Sequence, residues 1–311
     1  MPQGNPSNSP TFTGVWPILP TPFLPDETLD LDSLGRMVRF MAEAGMDGVT
    51  VLGVLGEANR LTDAERDEVT RVSVQHAGAM PVVVGATHPG TRATIAHATA
   101  AAQAGAAAVM VSASAEPAAN PEVSAEYFRR VAGESPLPVI LQDHPASSGV
   151  FLGAGVLAGI VRECPNIPCI KLEQPPTPRK ITALRQALAG HPVTLLQGLG
   201  ALYGRFELER GADGFMTGFA FPEALQALVR HYRAGEAGAA RALFTRLLPL
   251  IVYEQQPGIG IRKEIYRLRG LIANHTVRHP GAPPDAEGMA EASALIGECF
   301  PGADITRVLT L

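Results

Sequence analysis

The sequence predicts a single (β/α)8 barrel with a C-terminal helical appendage. Three observations carry that prediction: the length, an eightfold alternation of apolar runs with helical segments, and the character of the first strand's exit. The chain has 311 residues, which suits a barrel of roughly 250 residues plus extra helices. Apolar residues make up 46% and charged residues 18%, a globular balance with ample material for a core. The first apolar run ends in Pro20-Thr21-Pro22-Phe23, where an open doubly wound sheet would carry a glycine-rich turn.

The apolar runs fall at 15–19, 48–52, 82–85, 108–111, 139–141, 169–172, 193–196 and 214–217. They are short, rich in β-branched residues and apolar on both faces, as strands of a buried parallel sheet are. The intervening segments have helical spacing. Residues 31–44 are amphipathic and stop at Gly45, a C-terminal cap. Thr62-Asp63-Ala64-Glu65 reads as a capping box that starts the next helix. Residues 91–104 stop at Gly105 and 201–210 at Gly211. Eight such units favour a closed barrel. Helices are expected at 223–234, 237–253, 259–271 and 286–298, with a Pro- and Gly-rich linker at 278–284. The expected division is a disordered tail at 1–11, the barrel at 12–235 and a helical region at 236–311.

Composition excludes several function classes. The net charge is −5, from 25 Lys+Arg against 30 Asp+Glu, so there is no basic stripe for phosphate contacts and no nucleic-acid partner is expected. No apolar run is long enough to span a bilayer, so no membrane association is expected. The three cysteines, Cys164, Cys169 and Cys299, form no CxxC pair and read as reduced thiols in the cytoplasm. The first ten residues carry neither a basic start nor an apolar run, so no secretory signal is read there.

In such barrels the reacting groups gather at the C-terminal ends of the strands. The sixth run ends Cys169-Ile170-Lys171-Leu172-Glu173. Burial disfavours an ammonium, and the free amine of a lysine attacks carbonyls; the alternative is a lysine paired with a buried carboxylate or reaching for the barrel mouth. The second run leads into Gly53-Val54-Leu55-Gly56-Glu57. Consecutive N–H groups of such a turn can hold a carboxylate, although a plain strand-to-helix turn has the same composition. The fifth run ends Leu141-Gln142-Asp143-His144, where alternation puts Gln142 and His144 on one side. His144 is either an acid/base group or a loop cap.

Together these stretches resemble the dihydrodipicolinate synthase / N-acetylneuraminate lyase family, over nearly the whole chain from about Phe12. The resemblance rests on residues 14–23, on the 53–57 turn with Leu61-Thr62, and on Pro81-Val82-Val83-Val84-Gly85 with Thr91. Ala104-Gly105-Ala106, Ile170-Lys171 and Gly211-Ala212-Asp213-Gly214 follow in the same order. It implies a (β/α)8 enzyme in which Lys171 forms a Schiff base with a 2-oxo acid, with no organic cofactor and no metal. It also implies a homo-oligomer, a dimer or tetramer.

The departures are as informative. Val54-Leu55 stand where the family carries Thr-Thr or Ser-Thr, so the hydroxyls of the proton relay are lost. Gln142 replaces the acid/base tyrosine, and glutamine does not shuttle protons at neutral pH. The arginine after the fifth strand falls near Ser147, and the tyrosine after the fourth falls in Ser114-Ala115. Leu199-Gly200 replace the acidic residues that bind sugar hydroxyls. These losses argue against both dihydrodipicolinate synthesis and sialic acid cleavage.

Proton transfer then falls to another group. Glu173, two residues beyond Lys171 and on the same side of the strand, is the first candidate, against the alternative that it pairs with a loop arginine. His144 is the second and His88 the third. The catalytic set is therefore Lys171, Glu173, Gln142 and His144, and the substrate-contacting set is Val54, Leu55, Gly56, Gly198 and Met216. Phe215, Phe219 and Phe221 suggest an apolar pocket, or alternatively barrel-to-helix packing. The functional expectation is a Schiff-base lyase or aldolase acting on pyruvate or a related 2-oxo acid. The alternatives are a dehydratase or deaminase using the same imine, and a non-catalytic barrel that binds a 2-oxo acid.

Overall fold

A computed structural model of the chain describes residues 10–116, 119–255 and 258–311; the tail expected at 1–11 falls outside them as far as residue 9. The strands are β1 Gly14–Pro17, β2 Val49–Val51, β3 Val82–Gly85, β4 Ala108–Ser112, β5 Val139–Asp143, β6 Cys169–Leu172, β7 Thr194–Gln197 and β8 Gly214–Thr217. All neighbours pair in parallel, in the order β1-β8-β7-β6-β5-β4-β3-β2. The ring closes through a bridge from Ile18 to Thr50, beside which the Leu19 N–H donates to the Thr50 carbonyl at 2.9 Å. This is the expected (β/α)8 barrel.

The helices are α1 Leu31–Glu43, α2 Asp63–Ala77, α3 Thr91–Gln103, α4 Pro121–Glu134, α5 Pro145–Ser148, α6 Ala154–Glu163, α7 Thr177–Leu188, α8 Gly204–Glu209 and α9 Pro222–Arg233. Beyond them lie α10 Ala237–Gln255, α11 Ile259–Leu268 and α12 Ala286–Cys299. Local chemistry sets several boundaries. Asp30 and Asn120 cap α1 and α4 with their carboxylate and amide oxygens, and the Thr62–Glu65 capping box starts α2. Gly45, at φ +68°, takes the left-handed turn that ends the α1 unit. Between Gln197 and α8 the chain makes a short 3-10 turn, Leu199–Ala201, rather than the continuous helix expected at 201–210. The positive φ of Leu199, Gly200 and Ala201 breaks the helical path there.

Strand alternation sorts side chains into two layers. Trp16, Val83, Met110, Ile140, Cys169, Leu196 and Met216 fill the barrel interior. The opposite faces, with Phe215, Phe219 and Phe221, pack against the helices. All three of these phenylalanines are fully buried there, and Phe221 stacks on Phe300 with centroids 4.5 Å apart. They are packing residues, and the expectation that they wall the site is corrected.

The segment read as a linker at 278–284 is tightly fastened at its start. Arg278 pairs with Glu65 at 2.7 Å and covers the Phe23 ring, and its N–H donates to Glu57 at 3.0 Å. No helix among the described residues is long and apolar enough to cross a membrane.

Candidate active site

Register places three polar side chains side by side at the C-terminal end of the barrel. Ser112 of β4 opposes Gln142 of β5, which opposes Lys171 of β6. Each sits one inward step beyond an interior residue: Met110, Ile140 and Cys169. Ser112 Oγ donates to Gln142 Oε1 at 2.8 Å, and Gln142 Nε2 donates to Glu173 Oε2 at 2.7 Å. The same carboxylate oxygen lies 2.9 Å from Lys171 Nζ. Lys171 and Glu173 are 1% and 7% exposed. A charge pair that far from water survives only with its remaining polar valences met, and the Ser112–Gln142 chain meets one of them.

The Glu173 carboxyl feels opposing influences. Burial raises the cost of its charge, but Lys171, His144 and the Gln142 hydrogen bond outweigh it and hold the group below the usual carboxylate range. Gly198 makes the space for it: a Cβ there would lie 2.2 Å from Glu173 Oε1. Leu199 N–H approaches the same oxygen at 3.4 Å.

A cavity of 150 Å³ joins Lys171, Glu173, Gln142 and His144, with Val54, Leu55, Leu199 and Thr217 among its walls. A larger cavity, 680 Å³, lies beyond Val54 and Gln142, which line both. It holds His88 and His97 but neither Lys171 nor Glu173, and the Lys171–Glu173 pair makes the smaller one the candidate site.

The structure brings most of the expected residues together and separates a few. Lys171, Glu173, Gln142, His144, Val54 and Leu55 share the smaller cavity. His144 starts α5, with Nδ1 2.6 Å from Ser147 Oγ, and burial pushes its imidazole below the ordinary value. Met216, Gly56, Gly198 and His88 do not line that cavity. Met216 faces the barrel interior because alternation puts it one layer down. Gly56 shapes the turn, its carbonyl accepting from Thr21 Oγ at 2.6 Å, and Gly198 admits Glu173. His88 belongs to the neighbouring cavity, where its ring meets His97 edge-on. Sequence reasoning missed Ser112, which the alternation of β4 could have given, and Arg262 and Gln255, which come from helices with no spacing relation to the strands.

The turn after β2 is held from behind by a buried charge cluster. Glu57 is fully buried at φ +53°. Its carboxylate lies 2.5 Å from Lys263 Nζ and 2.7 Å from an Arg60 nitrogen. Lys263 also donates to the Thr276 carbonyl at 2.6 Å. The turn is therefore tied to α11 rather than free. The N–H groups of Val54, Leu55 and Gly56 donate to no protein acceptor among the described residues.

The sequence matches the dihydrodipicolinate synthetase family over residues 11–298. It is 35% identical over 301 residues to the L-2-keto-3-deoxyarabonate dehydratase of Azospirillum brasilense, covering 95% of this chain and 97% of that protein. It is 34% identical over 294 residues to a 4-hydroxy-tetrahydrodipicolinate synthase of Xanthomonas campestris pv. campestris, covering 92% and 94%. Among solved structures, the dihydrodipicolinate synthase of Rhodopseudomonas palustris superposes with a TM-score of 0.89 at 37% identity, over 94% of this chain and 99% of that one. Barrel, site register and whole-length similarity agree: the chain belongs to the dihydrodipicolinate synthetase family and is a lyase of that family.

Proposed function

We propose that the chain is a Schiff-base lyase that dehydrates a 4-hydroxy-2-oxo acid, with Lys171 as the imine-forming residue and Glu173 as its acid and base. The observation that carries this reading is the 2.9 Å approach of Lys171 Nζ to a Glu173 carboxylate held by Gln142. The Lys171 amine attacks carbon 2, water leaves, and the protonated imine draws electrons from carbon 3. Glu173 removes a proton from carbon 3. The enamine expels the carbon 4 hydroxyl, which takes a proton from Glu173 and departs as water. Hydrolysis then frees the product and restores the lysine. The substrate carboxylate sits on the N–H groups of the Val54–Gly56 turn.

Dehydration is favoured over carbon–carbon cleavage by similarity. The L-2-keto-3-deoxyarabonate dehydratase of Azospirillum brasilense, 35% identical over 301 residues, carries out a dehydration. Gln142 in place of a tyrosine leaves Glu173 as the one carboxylate beside the imine nitrogen to serve both proton transfers. Incubation with a five-carbon 4-hydroxy-2-oxo acid tests it. A product retaining all five carbons is expected; release of pyruvate would assign the aldolase reaction instead, and no turnover of any such acid would leave a binding barrel.

We further assign 12–235 to the barrel and 236–311 to the C-terminal region, with neither a metal nor an organic cofactor in the reaction. Three unpaired buried cysteines suit a cytoplasmic location, and a homo-oligomer is the assembly that the family resemblance supports.

A further inference from the structure

The cavity at Lys171 carries a second pair of polar side chains that imine chemistry does not use. Gln255 and Arg262 line it from α10 and α11. Gly200, in the turn after β7, lets the backbone come against them. A Cβ there would lie 1.8 Å from Gln255 Nε2 and 3.6 Å from an Arg262 terminal nitrogen. The Arg262 side chain is 13% exposed, so most of it is out of water. Its Nε reaches Glu254 at 3.3 Å, while its two terminal nitrogens have no protein acceptor among the described residues. Glu254 is fully buried, accepts from the Ala220 N–H at 3.3 Å, and is pushed up to about 7 by burial. It therefore offsets the guanidinium charge only in part. Lys171 and Glu173, which line the same cavity, offset each other.

A largely buried guanidinium whose terminal fork meets no protein acceptor among the described residues suits an anion of matching shape, and a carboxylate provides it. A hydroxyl would need only a neutral partner such as Gln255, without the cost of bringing a charge into the cavity. We propose that Arg262, assisted by Gln255, forms a subsite for a second carboxylate, so that the substrate is a 2-oxo acid acidic at its far end as well. This deepens the imine reading and rests on it.

The test is reductive trapping on Lys171 with two five-carbon acids of equal length, 2-oxoglutarate and 2-oxopentanoate. Borohydride reduces the imine to a stable secondary amine, and adduct formation is followed against acid concentration. The unmodified enzyme is expected to half-saturate with 2-oxoglutarate at a concentration lower by about tenfold or more. In Arg262→Gln that ratio should collapse towards one. In Arg262→Lys, which keeps a charge for Glu254 but loses the fork, it should narrow severalfold. Equal half-saturation in the unmodified enzyme overturns the proposal without recourse to any variant. So does a ratio unchanged in Arg262→Gln, including the case where both acids weaken alike, which would give Arg262 to the carboxylate next to the imine. If pyruvate itself leaves no adduct on Lys171, the imine reading fails and takes this subsite with it.

Discussion

At the residue scale, two side chains separated by one position at the end of β6 carry the chemistry proposed. Lys171 and Glu173 have different tasks, so their variants should fail differently. Glu173→Gln keeps the hydrogen-bonding shape but cannot take a proton. It is expected to retain imine trapping while losing roughly 10²–10⁴-fold in turnover; parallel trapping and rate measurements check this. Loss of both would make Glu173 a structural counter-ion. Gly198→Ala should act on the same carboxylate from outside the cavity, because the new methyl meets Glu173 Oε1. A fall in kcat of at least about tenfold is expected from a displacement of that size, with little change in binding of a simple 2-oxo acid. That Lys171 and Glu173 face the same side was legible from alternation. The partner of Glu173 was not: an arginine was an open alternative, and the structure supplies Lys171 and Gln142 instead.

At the scale of elements, buried charges fix how loops meet helices. Lys263→Met leaves the fully buried Glu57 with one fewer cation. A loss of about 3–5 kcal/mol is expected on removing one partner of a buried pair, read by denaturant unfolding. Weaker substrate binding should accompany it, since Glu57 anchors the turn after β2. Glu207 of α8 offers a pH test. It is 1% exposed, accepts a hydrogen bond from Thr177, and burial pushes its carboxyl up to about 8. Below the unfolded value of about 4.3 both states hold the proton. Between that value and about 8 only the unfolded state releases it, so stability falls as pH rises through this window and levels off above it. Glu207→Gln should remove this slope. Its stability relative to the unmodified protein should therefore be greater at pH 9 than at pH 4, by on the order of a few kcal/mol, read by denaturant unfolding at the two pH values; a pH-independent difference would contradict the assignment. The sequence revealed strands well, because eight apolar runs each carried their own signal. It did not reveal the break at Leu199–Ala201, where non-glycine residues adopt positive φ against their preference and only tertiary contacts explain it.

At the scale of the whole molecule, the barrel brings together groups far apart in sequence. Register on β4, β5 and β6 aligns Ser112, Gln142 and Lys171; alternation gives the side each faces, and only the pairing of the strands gives their alignment. The C-terminal helices contribute more than an appendage does. Through Arg262 and Gln255 they reach the cavity, and through Lys263 they brace its turn. These contributions were illegible because helical spacing says which face is buried, not which strand end it meets. The aromatic residues at β8 illustrate the reverse error: their composition suggested a pocket, whereas alternation of Phe215 with Met216 sends the former outward to the helices. The central claim, however, rests on a single amine. Its most direct test is borohydride reduction in the presence of pyruvate, followed by mass analysis of the peptide containing Lys171. A reduced pyruvyl group on Lys171, absent in Lys171→Ala, is the expected result. An unmodified Lys171 peptide, with pyruvate and with longer 2-oxo acids alike, would contradict the account.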